Sequence, residues 1–147
     1  MSAHLFIAED ETSIITLLKY NLEKEGHKVS YSENGEDALK QIKDKYPDLI
    51  LMDWMLPDLS GVDICRNLKK DKKFKDIPII MVSAKGEEED KLKAFDTGAD
   101  DYVTKPFSQK ELNARIKSLL RRSKPQSSID VVEFTDLKID RITKRVY

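Results

Sequence analysis

The chain has 147 residues, 39% of them apolar and 36% charged, which suits one domain with a short appendage. Against 27 acidic residues stand 26 lysines and arginines, for a formal net charge of −1, so a broad polyanion-binding surface is not expected. Cys65 is the single cysteine, which excludes an intrachain disulfide and argues against a zinc cluster. No apolar run reaches membrane-spanning length. The opening Met-Ser-Ala-His-Leu-Phe does not have the pattern of a signal peptide, so the expectation is a soluble cytoplasmic protein with no membrane contact. His4 and His27 lie far apart and have no metal-ligand spacing.

In chain order, residues 5–8 form a short apolar strand that runs into Glu9-Asp10-Glu11. Thr12 or Ser13 is the expected cap of a helix in which Ile14, Leu18 and Leu22, with Ile15 beside them, share one face. Gly26 ends that helix. Residues 28–32 alternate, as a strand with one wet face does, and residues 35–45 predict a helix with Ala38, Leu39 and Ile42 inward. Leu49-Ile-Leu-Met52 has no polar side chain and reads as a strand buried on both faces, with Asp53 at its end. Pro57, Asp58, Ser60 and Gly61 then make a turn. Val62, Cys65 and Leu68 mark the next helix, residues 69–75 a charged loop, and residues 78–82 another apolar strand ending in Ser83. Residues 87–97 predict a charged helix with Leu92, Ala94 and Phe95 as its main apolar positions, closed by Gly98. Tyr102-Val103 is a brief strand before Lys105-Pro106. Ser108 can cap a last helix striped by Leu112, Ile116, Leu119 and Leu120.

Strand and helix alternate five times with short connections, which predicts an α/β domain with a parallel sheet. The strands at Leu5, Leu49 and Pro78 are the most apolar and belong inside the sheet, whereas those at Lys28 and Tyr102 suit its edges. This pattern fits a doubly wound, flavodoxin-like sheet of five strands in the order 2-1-3-4-5, with five helices.

In that order the strand ends bring chemistry to one edge: Glu9 and Asp10 from strand 1, Asp53 from strand 3, Ser83 from strand 4 and Lys105 from strand 5. Three carboxylates in one pocket repel unless a cation is present, and hard oxygen ligands suit Mg²⁺. A lysine and a hydroxyl opposite that cation would contact the other oxygens of a phosphoryl group. The set reads as a small phosphoryl-transfer site, with Asp53, between the acidic pair and the Ser83/Lys105 side, as the carboxylate nucleophile. Taken singly, each piece has a plainer reading: acids at a helix start, a capping serine, a solvated lysine. Their convergence on one edge is what singles them out.

The run Glu9-Asp10-Glu11, Asp53 with Pro57 and Gly61, Ser83-Ala84, and Thr104-Lys105-Pro106-Phe107 together resemble the receiver domain of bacterial two-component response regulators, over about residues 4–122. The resemblance implies that Asp53 accepts a phosphoryl group from a phosphohistidine on a sensor histidine kinase, or from a small acyl phosphate. It implies Mg²⁺ held by Asp10, Asp53 and the backbone carbonyl of Met55, with Glu9 assisting through water. Lys105 would pair with the phosphoryl oxygens, the peptide before Pro106 would be cis, Ser83 would swing to the phosphate, and Tyr102 would rotate inward. Such a domain is not a turnover enzyme, because it takes up its own phosphoryl group and slowly loses it. Asp53-Trp-Met-Leu-Pro57 and Gly98-Ala-Asp-Asp-Tyr-Val-Thr-Lys-Pro-Phe107 are similar to the OmpR/PhoB class. That class implies a homodimer through the helix over 87–97, the strand at Tyr102 and the last helix, where Lys91, Asp96, Asp100, Asp101, Glu111, Arg115 and Arg122 supply both signs of charge.

Residues 1–122 are thus expected to be a receiver, 123–131 a linker, and 132–147 the truncated start of a winged-helix DNA-binding domain, which the recurrence of Val132, Phe134, Leu137, Ile139, Ile142 and Val146 resembles. DNA contact is expected only of a full-length form. Other readings are a stand-alone receiver acting by protein contacts, an aspartate-nucleophile phosphohydrolase, and a nucleotide- or flavin-binding module. Met55 occupies the place of the phosphohydrolase's second acid, and no glycine-rich loop follows strand 1 to favour a nucleotide.

Overall fold

The computed structural model describes residues 2–84 and 96–123. The elements are β1 (His4–Ala8), α1 (Thr12–Lys24), β2 (Lys28–Ser32), α2 (Gly35–Lys45), β3 (Leu49–Asp53), α3 (Gly61–Lys70), β4 (Ile79–Ser83), β5 (Asp101–Thr104) and α4 (Gln109–Ser123). The five strands form one sheet in the order β2-β1-β3-β4-β5, and every pairing is parallel. This is the expected doubly wound arrangement. Of the helix expected over 87–97, only Asp96 and Thr97 lie among the described residues, as does none of 124–147.

The alternation of side chains on a strand feeds two cores. Phe6, Ile50, Met52, Ile79 and Met81 point to one face, where Ala38 and Ile42 of α2 and Val62, Ile64, Cys65 and Leu68 of α3 cover them. Leu5, Ile7, Leu49, Leu51, Ile80 and Val82 point to the other, under Leu18 and Leu22 of α1 and Leu112, Ile116, Leu119 and Leu120 of α4. β3 and β4 are buried at every position. Each such Leu or Ile contributes about 1.5–3 kcal/mol by leaving water, which is why these strands need no polar alternation. β2, at the edge, keeps Lys28 and Tyr31 exposed.

Local details depart from expectation at four places. The N-cap of α1 is Glu11, without a side-chain cap bond, and Thr12 already belongs to the helix. The chain is instead turned by the Glu9 carboxylate, which accepts the Glu11 amide at 3.0 Å. Ile15 rather than Ile14 joins Leu18 and Leu22 as fully covered, with Ile14 at the margin of the core. The charged loop begins inside α3, which runs to Lys70, and it hides the buried Phe74, with Ile77 buried just beyond it. Finally, α4 runs through Ser123, one residue past the expected end of the receiver, a shift of the size usual for helix ends. The expected cap Ser108 accepts the amide of Glu111 (3.3 Å), and Ser60, expected only in the turn, caps α3 by accepting the amide of Asp63 (3.1 Å).

Gly61 sets how closely α3 approaches the end of β3. A Cβ there would lie 2.0 Å from the Asp53 carbonyl oxygen and 2.9 Å from Met52 Cγ. Backbone cannot yield as a flexible side chain can. Gly61→Ala is therefore expected to cost about 2–3 kcal/mol or more, read as a lower urea midpoint at unchanged m. A midpoint equal to the parent's would mean that α3 can retreat freely.

Candidate functional site

Parallel strands place their C-terminal residues side by side, and β1 and β3 are neighbours with Ala8 opposite Met52. Glu9 and Asp10 therefore leave β1 beside Asp53, the last residue of β3. One carboxylate oxygen from each of Glu9, Asp10 and Asp53 lies within 4.8 Å of the others. Glu9 and Asp53 are 2% and 6% exposed, and Asp10 faces solvent. Ser83 ends β4 one residue beyond Val82, the register partner of Asp53, and is buried. Its carbonyl accepts the Lys105 amide at 2.8 Å, which brings Lys105 from the end of β5 to the same edge. The Lys105–Pro106 peptide is cis.

Lys105 supplies the positive charge that the acids require. Its Nζ lies 2.9 Å from Glu9 Oε1, 3.2 Å from Glu11 Oε1 and 3.9 Å from Asp53 Oδ1. Burial works against its charge, but the bond to Glu9 and the charges of Asp53 and Glu9, with a further bond to Glu11, outweigh it and raise the pKa above the ordinary value. Lys105 does not neutralise the whole group. Burial first, and the Glu9 charge second, push the Asp53 carboxyl up from an ordinary 3.8 to about 7; Lys105 and the Met55 amide oppose this. That amide is 3.4 Å from Asp53 Oδ1, and the Met55 side chain is exposed.

Tyr102 sits on the inside in this structure. It is buried, with its ring edge-on to Trp54 at 6.2 Å between centroids. The structure thus gathers Glu9, Asp10, Asp53, Ser83 and Lys105 at one edge and puts Met55 in the turn beyond them. Two contributors had no assigned part in the sequence reading. Glu11, in the sequence one member of an acidic run, binds Lys105 at 3.2 Å. Asp58, in the sequence a turn former, accepts backbone amides at the start of α2 with both its carboxylate oxygens.

Four charged residues of the expected dimer face, Asp100, Asp101, Glu111 and Arg115, are engaged within the chain. Asp100 accepts Lys69 Nζ at 3.0 Å and the Ile79 amide at 2.8 Å. Asp101 takes a two-pronged contact from Arg115 at 2.7 and 2.8 Å, and Glu111 accepts from Arg115 at 3.1 Å. The Asp101 bond is the main reason that the Arg115 pKa is raised. Arg122 is exposed, and Lys91 lies outside the described residues.

The family described as response regulator receiver domain matches residues 5–117. The phosphate regulon transcriptional regulatory protein PhoB of Escherichia coli is 42% identical over 146 residues, covering 99% of this chain and 64% of that protein. The alkaline phosphatase synthesis transcriptional regulatory protein PhoP of Bacillus subtilis is 49% identical over 123 residues, covering 84% of this chain and 50% of that protein. The chain thus spans less than two thirds of the length of these relatives. Among solved structures, the receiver domain of Francisella response regulator 1452 superposes with a TM-score of 0.78 at 34% identity, covering 83% of this chain and 99% of that one. The BeF3-activated N-terminal receiver domain of Klebsiella pneumoniae RstA gives 0.75 at 29% identity, covering 80% and 98%. Five parallel strands in this order, three acids and a lysine at their ends, and a receiver match over residues 5–117 agree: the chain belongs to the response regulator receiver family, in its OmpR/PhoB class.

Proposed function

We propose that this chain is the switch half of a two-component transcription regulator, in which Asp53 accepts a phosphoryl group from a sensor histidine kinase. The observation that carries the reading is the approach of Glu9, Asp10 and Asp53 to within 4.8 Å of one another beside the Lys105 ammonium. An Asp53 carboxylate oxygen forms the new P–O bond. The P–N bond of a phosphohistidine breaks, and the imidazole nitrogen keeps the electron pair and takes up a proton. Later attack by water returns the carboxylate and releases phosphate, so the protein ends unchanged without turning over a substrate of its own. In this reading Ser83 and Lys105 contact the phosphoryl oxygens from the far side of the edge, and Tyr102 follows the movement of Ser83.

The donor set fits Mg²⁺. It is all oxygen, acidic and open to water on the Asp10 side, and burial first, with the Glu9 charge second, raises the Asp53 pKa. Asp10, Asp53 and the Met55 carbonyl would hold the ion, with Glu9 acting through water. The bound ion would neutralise the acids and the incoming phosphoryl oxygens. The downstream steps in this reading are a homodimer through Asp100, Asp101, Glu111, Arg115, Arg122 and Lys91, and DNA binding by a domain of the full-length form. Because Asp100, Asp101 and Glu111 already have partners in this chain, dimer contacts would require those pairs to be shared or exchanged. The setting is the cytoplasm, in line with the absence among the described residues of any helix long and apolar enough to cross a membrane. A phosphohydrolase is disfavoured by Met55, which puts no second acid two residues after Asp53.

Intact-mass measurement after incubation with a small acyl phosphate and Mg²⁺ tests the reading. One added phosphoryl group is expected on the parent, and none with Asp53→Asn or with chelator. An adduct of equal yield on Asp53→Asn would place the chemistry elsewhere. Lys105→Ala is expected to slow the uptake by about 10–100-fold.

The raised Asp53 pKa also fixes the sign of a stability effect. In the absence of divalent cation the folded form holds this proton up to about pH 7, and the unfolded chain releases it near 3.8. Stability is therefore lost as pH rises through that window. Allowing for solvent screening, the loss is on the order of 1 kcal/mol. With chelator at about pH 8, Asp53→Asn should melt about 3–5 °C above the parent, and the gap should close as pH falls toward about 4 or when Mg²⁺ is added. A parent that melts higher than Asp53→Asn at about pH 8 would reverse the sign and refute the assignment.

A further inference from the structure

The turn between β3 and α3 carries Met55 between Asp53 and Asp58, and it is pinned at both ends. At the near end the Gly61 amide donates to the Trp54 carbonyl at 3.0 Å, and Gly61 sits too close beneath Asp53 to admit a Cβ. At the far end Asp58 Oδ1 accepts the Gly35 amide at 2.6 Å and Oδ2 accepts the Glu36 amide at 3.0 Å. These two amides hold the Asp58 carboxyl below its ordinary pKa, so it stays charged. Gly35 is required for the approach, because a Cβ there would lie 2.4 Å from the Leu59 carbonyl oxygen.

Helix capping alone does not explain Asp58. α2 already has its own N-cap, Asn34, whose Oδ1 accepts the Asp37 amide at 2.9 Å. Asp58 adds a tie to a segment 22–23 residues away in sequence. Its carboxyl is exposed, so the contact is not forced by burial. Between Asp53 and Asp58, Trp54 and Leu56 are packed into the core, while Met55 and Pro57 stand out to solvent.

We propose that Asp58 is a positioning residue for the cation site, holding the Met55 peptide in register with Asp53 by anchoring the turn to the first turn of α2. The proposal rests on the reading of the site as a Mg²⁺-dependent phosphoryl acceptor. A carbonyl ligand on a tethered turn is ordered before the ion arrives, whereas on a loose turn the ordering cost falls on binding. Residues that orient ligands without touching the ion change metal affinity by about 10–100-fold when removed.

The test is a Mg²⁺ titration of the full chain, followed by the fluorescence of Trp54, the single tryptophan and the neighbour of Asp53. The expected result is an Mg²⁺ Kd about tenfold weaker for Asp58→Ala and an intermediate one for Asp58→Asn, which keeps one acceptor oxygen. Asn34→Ala, which weakens α2 without touching the turn, should stay within about twofold of the parent. All are measured below the melting temperature of each variant; if Asp58→Ala does not fold, Asp58→Asn against Asn34→Ala decides. An unchanged Kd for the Asp58 variants, or an equal loss for Asn34→Ala, overturns the positioning role. When the parent in the same experiment binds Mg²⁺ and takes up a phosphoryl group, that failure is of the positioning role alone. A parent that binds no Mg²⁺ overturns both this role and the reading beneath it.

Discussion

Three carboxylates held within 4.8 Å of one another at the C-terminal edge of a sheet are a standing electrostatic demand. At an effective dielectric of about 20, each ionised pair at that separation costs about 3 kcal/mol, a large part of the stability of a small domain. The fold meets the demand in two ways. Lys105 reaches across from the end of β5 to Glu9, Glu11 and Asp53, and Asp53 keeps its proton to about pH 7. Both are provisional. A protonated Asp53 is a poor nucleophile, and a lysine bound to three acids is not free for a phosphoryl group. In the proposed reading, a divalent cation bound to these acids would release both.

Such a cluster persists because the scaffold beneath it is stiff. β1, β3 and β4 are buried on both faces, and their register places the site residues at adjacent strand ends without further devices. The turns around the site are less secured by packing, and there the chain uses backbone hydrogen bonds. Glu9 holds the Glu11 amide, Ser32 accepts the Glu9 amide through its carbonyl, and Asp58 holds the start of α2. The strands supply position, and these bonds supply orientation.

The sheet and the site were legible in the sequence for one reason. In a parallel α/β fold, a short run with no polar residue means a central strand, and the polar residue that ends it means the site edge. Asp53 after Leu49-Ile-Leu-Met52 shows both at once. What was not legible depends on partners far away in the chain. Asp100 and Asp101 read as free charges on an exposed face until Lys69, 31 residues from Asp100, and Arg115, 14 residues from Asp101, are seen to hold them. Phe74, a lone aromatic among lysines, is buried beside Tyr46 of the α2 C-terminus, 5.3 Å between rings. The α1 cap was misplaced because a carboxylate two residues upstream took over the turning of the chain. Each is a tertiary contact overriding a local rule.

The central claim is that Asp53 retains a proton which a divalent cation displaces. The most direct measurement is the heat of Mg²⁺ binding at about pH 7 in two buffers of different ionisation enthalpy, which counts the protons released. With Asp53 half protonated near that pH, the expected release is about half a proton per ion, falling toward zero by about pH 8.5. Tight binding with identical heats in the two buffers at about pH 7 would mean that the carboxylates are already fully ionised before the ion arrives, and would contradict the account.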